Sequence, residues 1–182
     1  MIITINGTPG AGKSTAAKFL ARKLKMKHYS MGDLRRKIAL EKGMTIDEFN
    51  KLGEKEAWTD KDADNYQIKL GKKEDNFVID GRLSWFFIPK SIKVFVKADL
   101  KKAAIRVFKE KRRSEKKYKS AKDVLKEMKE RMKSDMQRYR KYYGIKNVYS
   151  MSNYDIIIDS SYLTINEMRQ KALDAVKAYK KT

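Results

Sequence analysis

The most constraining feature of this sequence is a glycine-rich stretch near its start. Residues 7–14 read Gly-Thr-Pro-Gly-Ala-Gly-Lys-Ser and match the pattern G-x-x-x-x-G-K-[ST] at every fixed position. An apolar run over residues 1–5 predicts a buried strand before the loop, and apolar residues at helical spacing predict a helix after it. In this context the loop amides and the helix N-terminus favour binding of a polyphosphate. The residues expected to hold it are Gly7, Thr8, Pro9, Gly10, Ala11, Gly12, Lys13, Ser14 and Thr15.

Two side chains of this loop carry most of the expected chemistry. Lys13 supplies a cation for the β and γ phosphates, and Ser14 supplies a hydroxyl ligand for Mg²⁺. We therefore expect ATP and Mg²⁺ as cofactors.

The rest of the chain alternates short apolar runs with amphipathic segments. Further strands are predicted at 27–30, 77–80, 93–96 and 154–159, with helices between them. Thr45 begins a capping box, and Thr59 or Asp60 is expected to cap the next helix. A second capping box begins at Ser120, with Asp123 in place of Glu. This order predicts an α/β fold, a P-loop NTPase with three α/β/α layers around a central parallel five-stranded sheet. Ligands of such sheets bind beyond the carboxyl ends of the strands, where Ser30 and Asp80 fall.

Composition narrows the class of protein. The 182 residues suffice for one α/β domain, residues 1–182, and the absence of cysteine excludes disulfides and thiolate metal sites. No apolar run is long enough to span a membrane, so we expect a cytoplasmic protein. The net charge of +21 would attract nucleic acid, but the lysines are scattered over every helix, so nucleic acid is not the favoured partner.

Several arginines indicate phosphoryl transfer. Arg36 and Arg82 follow strand ends, and Arg131, Asp135 and Arg138 lie in one sector of a long helix that begins after Ser120, turned away from bulk water. The alternative for this helical set is a simple salt-bridge ladder. Transfer between two nucleotides needs several cations around the moving group, and an anionic acceptor needs no strong general base.

These motifs resemble the P-loop nucleoside monophosphate kinases, most of all the compact archaeal-type cytidylate kinases. The residues that carry the resemblance are the loop at 7–14, Ser30-Met31-Gly32-Asp33 with Arg36, Asp80-Gly81-Arg82, and Arg131, Asp135 and Arg138. The resemblance implies transfer of the γ-phosphoryl group of ATP to CMP or dCMP. It implies a helical monophosphate-binding insert at about 31–72 and a short arginine-bearing lid at about 112–120.

The resemblance also implies a role for each matching residue. Lys13, Arg131 and Arg138 would be catalytic. Ser30, Asp33, Arg36, Arg82 and Asp135 would bind the acceptor, with Arg36 and Arg82 on its phosphate. Ser14 would be a direct ligand of Mg²⁺, and Asp80 would orient the ion through water. Asp159-Ser160-Ser161 resembles a segment near the donor adenine.

Some assignments stay open. Met31 stands where adenylate kinases usually carry Thr, which disfavours AMP as acceptor, and Arg106, Arg112 and Arg113 match no single family arginine. Asp64, Gln67, Ser84 and Trp85 either line the acceptor pocket or serve packing, and the lone His28 is expected to be structural. The alternatives are an adenylate or broad-specificity monophosphate kinase, and a P-loop ATPase of ribosome or RNA assembly. We expect a monomer that binds small nucleotides.

Overall fold

The computed structural model describes residues 1–110 and 118–179. The strands are β1 (Ile2–Gly7), β2 (Lys27–Ser30), β3 (Phe77–Asp80), β4 (Ile92–Lys97) and β5 (Ile156–Asp159). The helices are α1 (Lys13–Lys23), α2 (Met31–Glu41), α3 (Ile46–Lys55), α4 (Trp58–Lys73), α5 (Ser84–Phe87), α6 (Leu100–Lys109), α7 (Ala121–Tyr143) and α8 (Ile165–Tyr179). Within the described residues the strands form one parallel five-stranded sheet in the order β2-β3-β1-β4-β5. The predicted α/β class and central parallel sheet are confirmed.

Helices cover both faces of the sheet because successive strand residues point to opposite sides. On one face, Ile3 of β1 belongs to a buried cluster with Leu20 of α1 and Val176 of α8. On the other face, Phe95 of β4 is buried in a cluster with Tyr139 of α7. The fold therefore has the three α/β/α layers that the sequence predicts.

Strand register brings the predicted site residues to one edge. Asp80 at the end of β3 is paired with Ile5 of β1 and with Ser30 of β2. Gly7, where the glycine-rich loop begins, is paired with Val96 of β4. Because all strands are parallel, their carboxyl ends meet at this edge.

Two helices begin with the capping boxes that the sequence predicts. Thr45 accepts a hydrogen bond from the amide of Glu48, whose carboxylate accepts one from the Thr45 amide in return. Ser120 and Asp123 form the same reciprocal pair at the start of α7, with Asp in place of Glu. These local bonds satisfy amides that have no partner inside the helix.

The predicted cap of α4 is wrong. The helix begins at Trp58, with Ala57 at the N-cap position and no side-chain cap. The Thr59 hydroxyl instead donates to the carbonyl of Glu56, and the Asp60 carboxylate pairs with Arg35. Arg35, which lies on another helix, therefore binds the Asp60 carboxylate that the local sequence pattern predicted to cap α4.

Part of the predicted lid lies outside the described residues. Positions 112–117, including Arg112 and Arg113, belong to this part. In the part of the chain that the structure describes, no helix is long and apolar enough to cross a membrane.

Candidate active site

The glycine-rich loop adopts a backbone that only glycine accommodates. Gly10 and Gly12 have φ values of +73° and +90°. A Cβ at Gly7 would lie 2.3 Å from the carbonyl oxygen of Val96, so any side chain there would collide with the backbone of β4. The amide of Thr8 donates to the same carbonyl at 3.1 Å and fixes the start of the loop. The amide of Ala11 also donates within the loop, to the carbonyl of Thr8. The amides expected to bind an anion are therefore those at the start of α1.

The loop after β5 supports the glycine-rich loop from the side. The Ser160 hydroxyl donates to the carbonyl of Ala11 at 3.0 Å, and the Ser161 hydroxyl donates to Asp159 at 2.6 Å. Arg106, whose role the sequence left open, donates to the carbonyl of Ser161 at 2.8 Å. This arginine ties α6 to the loop after β5.

Asp80 is the centre of the phosphate end of the site, a set that we define as Lys13, Ser14, His28 and Asp80. Its side chain is buried, and one carboxylate oxygen accepts from Lys13 Nζ at 2.5 Å and from Ser14 Oγ at 3.0 Å. The other oxygen lies 2.8 Å from Nε2 of His28. The predicted neighbours Lys13, Ser14 and Asp80 are therefore in contact, and the histidine joins them.

Opposite charges shift the pKa values at the phosphate end. Burial lowers the pKa of Lys13, and nearby Arg82 and Arg131 lower it further, while Asp80 acts in the opposite direction. Burial alone would raise the pKa of Asp80, but hydrogen bonds from His28, Lys13 and Ser14 hold it well below its usual range. The carboxylate is therefore ionised at neutral pH.

The donor atoms at the phosphate end fit Mg²⁺. Ser14 and Asp80 offer a hydroxyl and a carboxylate oxygen 3.0 Å apart, and oxygen is the ligand type that Mg²⁺ prefers. Among the described residues there is no cluster of three or more His, Cys, Asp or Glu side chains suited to a metal. A site with only these two protein ligands suits an ion that keeps several waters and takes its other ligands from substrate phosphates.

Arg82 and Asp135 form a buried ion pair beside the loop. Arg82 Nε donates to Asp135 at 2.8 Å, and Arg82 Nη1 donates to the carbonyl of Gly7 at 2.9 Å. Tyr149 donates to the same carboxylate oxygen of Asp135 at 2.7 Å. Burial alone would raise the pKa of Asp135, but the charges of Arg82, Arg131 and Arg138 lower it. Arg82 thereby links the phosphate-binding loop to α7.

Arg138 lies inside the protein. Only 5% of the residue is exposed, and its guanidinium contacts Asp135 at 3.3 Å, Asp60 of α4 at 3.4 Å and the Tyr139 hydroxyl at 2.9 Å. Asp60 also pairs with Arg35 of α2. Arg138 thus joins α7 to the helices that follow β2, in addition to its predicted place near the site.

Arg131 differs from Arg138 although both belong to one sequence motif. Arg131 is exposed, so the expectation that it faces away from bulk water is wrong. The charge of Arg82 lowers the pKa of Arg131, and the protein atoms that partly shield its guanidinium from water lower it too. Arg131 in turn lowers the pKa of Lys13. These effects place Arg131 within electrostatic reach of Lys13 and Arg82.

The first turn of α2 carries Ser30, Asp33 and Arg36. Ser30 caps the helix by accepting from the amide of Asp33 at 3.3 Å. Arg36 pairs with Asp33, both with more than half of the side chain exposed, and its guanidinium folds back toward Gly32. These residues lie at the correct edge of the sheet, but they do not contact Lys13 in this structure.

A second polar group lines the junction of α4, α5 and α7, and we call it the insert wall. It consists of Asp64, Gln67, Ser84 and Tyr143. Ser84 Oγ donates to Gln67 at 2.9 Å, Gln67 donates to Asp64 at 3.3 Å, and the Tyr143 hydroxyl donates to the other oxygen of Asp64. Trp85 does not join it, because its indole N–H donates to the carbonyl of Arg82 at 3.1 Å and its ring packs on Tyr154.

Comparison with known proteins agrees with this geometry. The family model for the cytidylate kinase-like family matches residues 2–162. This chain belongs to that family. A cytidylate kinase of Archaeoglobus fulgidus is 35% identical over 181 residues, which cover 99% of this chain and 97% of that protein. A cytidylate kinase of Methanocaldococcus jannaschii is 37% identical over 167 residues, covering 88% and 89%.

Solved structures support the fold of this cytidylate kinase-like protein. An uncharacterized protein from Eubacterium ventriosum has a TM-score of 0.71 at 22% identity, covering 98% of this chain and 97% of that one. A shikimate kinase from Bacteroides thetaiotaomicron has a TM-score of 0.66 at 15% identity, covering 100% and 99%. At such identities the likeness shows the three-layer α/β/α fold alone.

Sequence reasoning missed several partners at the site of this cytidylate kinase-like protein. His28 lies two residues before Ser30 on β2, and strand periodicity turns both to one side, which was a usable signal for its contact with Asp80. Arg35, Asp60 and Tyr149 gave no comparable signal. Their partners are distant in sequence, and short-range patterns do not report such pairs.

Proposed function

We propose that this protein is a cytidylate kinase, which transfers the γ-phosphoryl group of ATP to CMP or dCMP and releases ADP and CDP or dCDP. A phosphate oxygen of the monophosphate bonds to the γ-phosphorus as the bond from that phosphorus to the β–γ bridging oxygen breaks. The observation that carries the proposal is the gathering of Lys13, Arg82 and Arg131 at the ligand edge of the sheet, where Arg82 and Arg131 lower the pKa of Lys13 and Arg82 lowers that of Arg131. Such crowding of positive charge favours the binding of a polyanion.

Each cation has a distinct task in this proposal. Lys13 holds the β and γ phosphates of ATP, Arg82 and Arg36 bind the acceptor phosphate, and Arg131 stabilises charge on the transferring group. Arg138, also predicted to be catalytic, supports the site through its contact with Asp135. Ser30, Asp33 and Asp135 keep these groups in place. Ser14 and Asp80 would hold Mg²⁺, which neutralises phosphate oxygens when bound. Closure of the insert at about 31–72 and of the lid at about 112–120 would exclude water.

The family supports cytidylate over the alternatives. The similar curated proteins named above are cytidylate kinases, and they match nearly the whole chain. Adenylate kinase activity and an RNA-assembly ATPase have no comparable support. We propose that the enzyme acts as a monomer in the cytoplasm.

A coupled assay of ADP release tests this function. With ATP and Mg²⁺, we expect ADP release to depend on a monophosphate and to be fastest with CMP and dCMP among CMP, dCMP, UMP, AMP, GMP and dTMP. ADP release that needs no monophosphate and is stimulated by RNA would contradict the proposal. Faster turnover with AMP than with CMP would replace it by adenylate kinase activity.

A further inference from the structure

The carboxylate of Asp64 is held in place by two neutral donors. The Tyr143 hydroxyl of α7 donates to one oxygen, and the Gln67 side chain, one turn along α4, donates to the other at 3.3 Å. Within the described residues, these hydrogen-bond partners are a phenol and an amide, and neither carries a positive charge. The carboxylate is thus oriented but not neutralised.

The surroundings of Asp64 connect it to the loop after β3. Gln67, only 3% exposed, accepts a hydrogen bond from Ser84 at 2.9 Å. Ser84 is fully buried, and its hydroxyl would lie 2.3 Å from a Cβ at Gly81. Gly81 directly follows Asp80 of the phosphate end. Asp64 is therefore two hydrogen bonds away from Ser84, the residue that contacts this loop, with Gln67 between them.

The second helix in contact with Asp64 also carries phosphate-site residues. Tyr143 lies at the C-terminal end of α7, three turns from Arg131 and two turns from Asp135. α7 therefore runs from the phosphate end to the insert wall. If the phosphate of a nucleoside monophosphate binds near Arg82 and Arg131, a base that extends along α7 would approach the insert wall.

The chemistry of Asp64 suits a ligand with an N–H group. Burial raises the pKa of Asp64 to about 6, against an ordinary value of 3.8, and the charge of Asp60 raises it too, while hydrogen bonds from Tyr143 and Gln67 and the charge of Arg35 only partly offset this. At neutral pH the ionised carboxylate has about four acceptor positions, of which Tyr143 and Gln67 fill two. A further N–H donor would satisfy the remaining capacity.

We propose that Asp64 reads the acceptor base by accepting a hydrogen bond from the exocyclic amino group of cytosine. This inference rests on the proposed cytidylate kinase function and names the residue that selects the base. Cytosine presents an amino donor where uracil presents a carbonyl oxygen, and carboxylates recognise cytosine through this amino group. Opposite uracil, the carboxylate and the carbonyl oxygen would face each other as two acceptors, and both would remain unpaired.

Tyr143 and Gln67 are positioning residues in this arrangement. Each fixes one oxygen of Asp64, and Ser84 fixes Gln67 from inside the protein. Loss of the Tyr143 hydroxyl therefore changes the orientation of the carboxylate without removing it.

The test compares Asp64→Asn with Asp62→Asn, a matched change at an exposed position of the same helix. Wild type, both variants and Tyr143→Phe are assayed with CMP and UMP. We expect Asp64→Asn to lower the ratio of kcat/KM for CMP to that for UMP on the order of 100-fold. Asp62→Asn should leave the ratio unchanged. Tyr143→Phe should lower it by roughly tenfold, mainly through KM for CMP, because a shifted carboxylate binds the base less well.

A substrate analogue tests the same contact in the wild-type protein. The 5′-monophosphate of pyrimidin-2-one riboside lacks the 4-amino group. We expect its kcat/KM to be on the order of 10- to 100-fold below that of CMP with wild type, and this gap to close with Asp64→Asn. Equal use of CMP and the analogue by wild type would overturn the assignment, even if the variant did not fold.

The outcomes separate this inference from the function on which it rests. Suppose that the wild-type protein phosphorylates CMP and that the CMP to UMP ratio of kcat/KM for Asp64→Asn stays within about threefold of wild type, a difference of the size of assay scatter. That result overturns the role of Asp64 alone. A wild-type protein that phosphorylates no monophosphate overturns the proposed function.

Discussion

The phosphate end and the insert wall each contain a carboxylate, fully buried at Asp80 and half-buried at Asp64, and the two have opposite surroundings. Asp80 accepts hydrogen bonds from Lys13, Ser14 and His28, and its pKa lies well below its usual range. Asp64 is bonded to a phenol and an amide, and its pKa is raised to about 6. The first carboxylate is matched to cations, whereas the second retains capacity for a neutral donor. The phosphate end therefore suits the binding of charged phosphates, and the insert wall suits the recognition of a base.

Two arginines of α7, Arg131 and Arg138, also differ in their surroundings. Arg131 is exposed near Lys13 and Arg82, while Arg138 is buried between Asp60 and Asp135. Two residues of one motif thus face different environments. An exposed cation is available to a ligand, and a buried one is engaged in holding helices together.

The largest effect is expected at the phosphate end. Lys13→Ala should lower kcat by about three to four orders of magnitude, because it removes the cation that acts on the transferring group. The coupled ADP assay at saturating ATP and CMP measures this.

Lys18→Ala is the matched control, since Lys18 is exposed on the same helix. We expect the control to keep wild-type turnover. A Lys13→Ala protein that turns over within tenfold of wild type, a margin far smaller than the loss expected for such a group, would remove Lys13 from the catalytic set.

The two arginines of α7 should separate activity from stability. Arg131→Ala should lower kcat by about 100- to 1000-fold while the free energy of unfolding stays within about 0.5 kcal/mol of wild type. Arg138→Ala should lower the free energy of unfolding by about 3 kcal/mol, because it leaves Asp60 and Asp135 buried without this partner. Urea denaturation and the coupled assay on both variants measure the two quantities.

This pair of variants also tests the catalytic role predicted for Arg138. If Arg138→Ala unfolds like wild type and loses only activity, its buried ion pairs do not stabilise the fold. If Arg131→Ala keeps near-normal turnover, Arg131 does not act on the transition state.

The smallest effect is a pH dependence at the insert wall. The pKa of Asp64 is raised in the folded protein, so its contribution to stability is fully present below its ordinary pKa and is lost as pH rises through about 6. Between about pH 4 and pH 7, wild type should lose about 1 to 2 kcal/mol of unfolding free energy relative to Asp64→Asn. Urea denaturation across this range measures the difference.

Asp62→Asn again provides the comparison, and its stability difference from wild type should stay flat over the same range. A flat difference for Asp64→Asn as well would show that the Asp64 carboxyl titrates alike in the folded and unfolded states. The contrast with Asp80 would then no longer hold.

Most predictions from local patterns were confirmed. The glycine-rich loop, the parallel sheet and the capping boxes at Thr45 and Ser120 depend on residues that are neighbours in sequence, and the structure confirms each of them. The cap expected at Thr59 or Asp60 failed because Arg35, which lies on another helix, holds the Asp60 carboxylate. A long-range ion pair outweighed a local preference.

The amino-acid sequence by itself determined the class of fold and the phosphate-binding loop, because hydrophobic periodicity and glycine conformation act within a few residues. Only the tertiary structure decided that His28 meets Asp80, that Arg138 is buried while Arg131 is exposed, and that Tyr143 holds Asp64. These pairs join residues up to 79 positions apart. Their energies depend on burial and on the charges that surround them, and both arise only when helices and strands pack together.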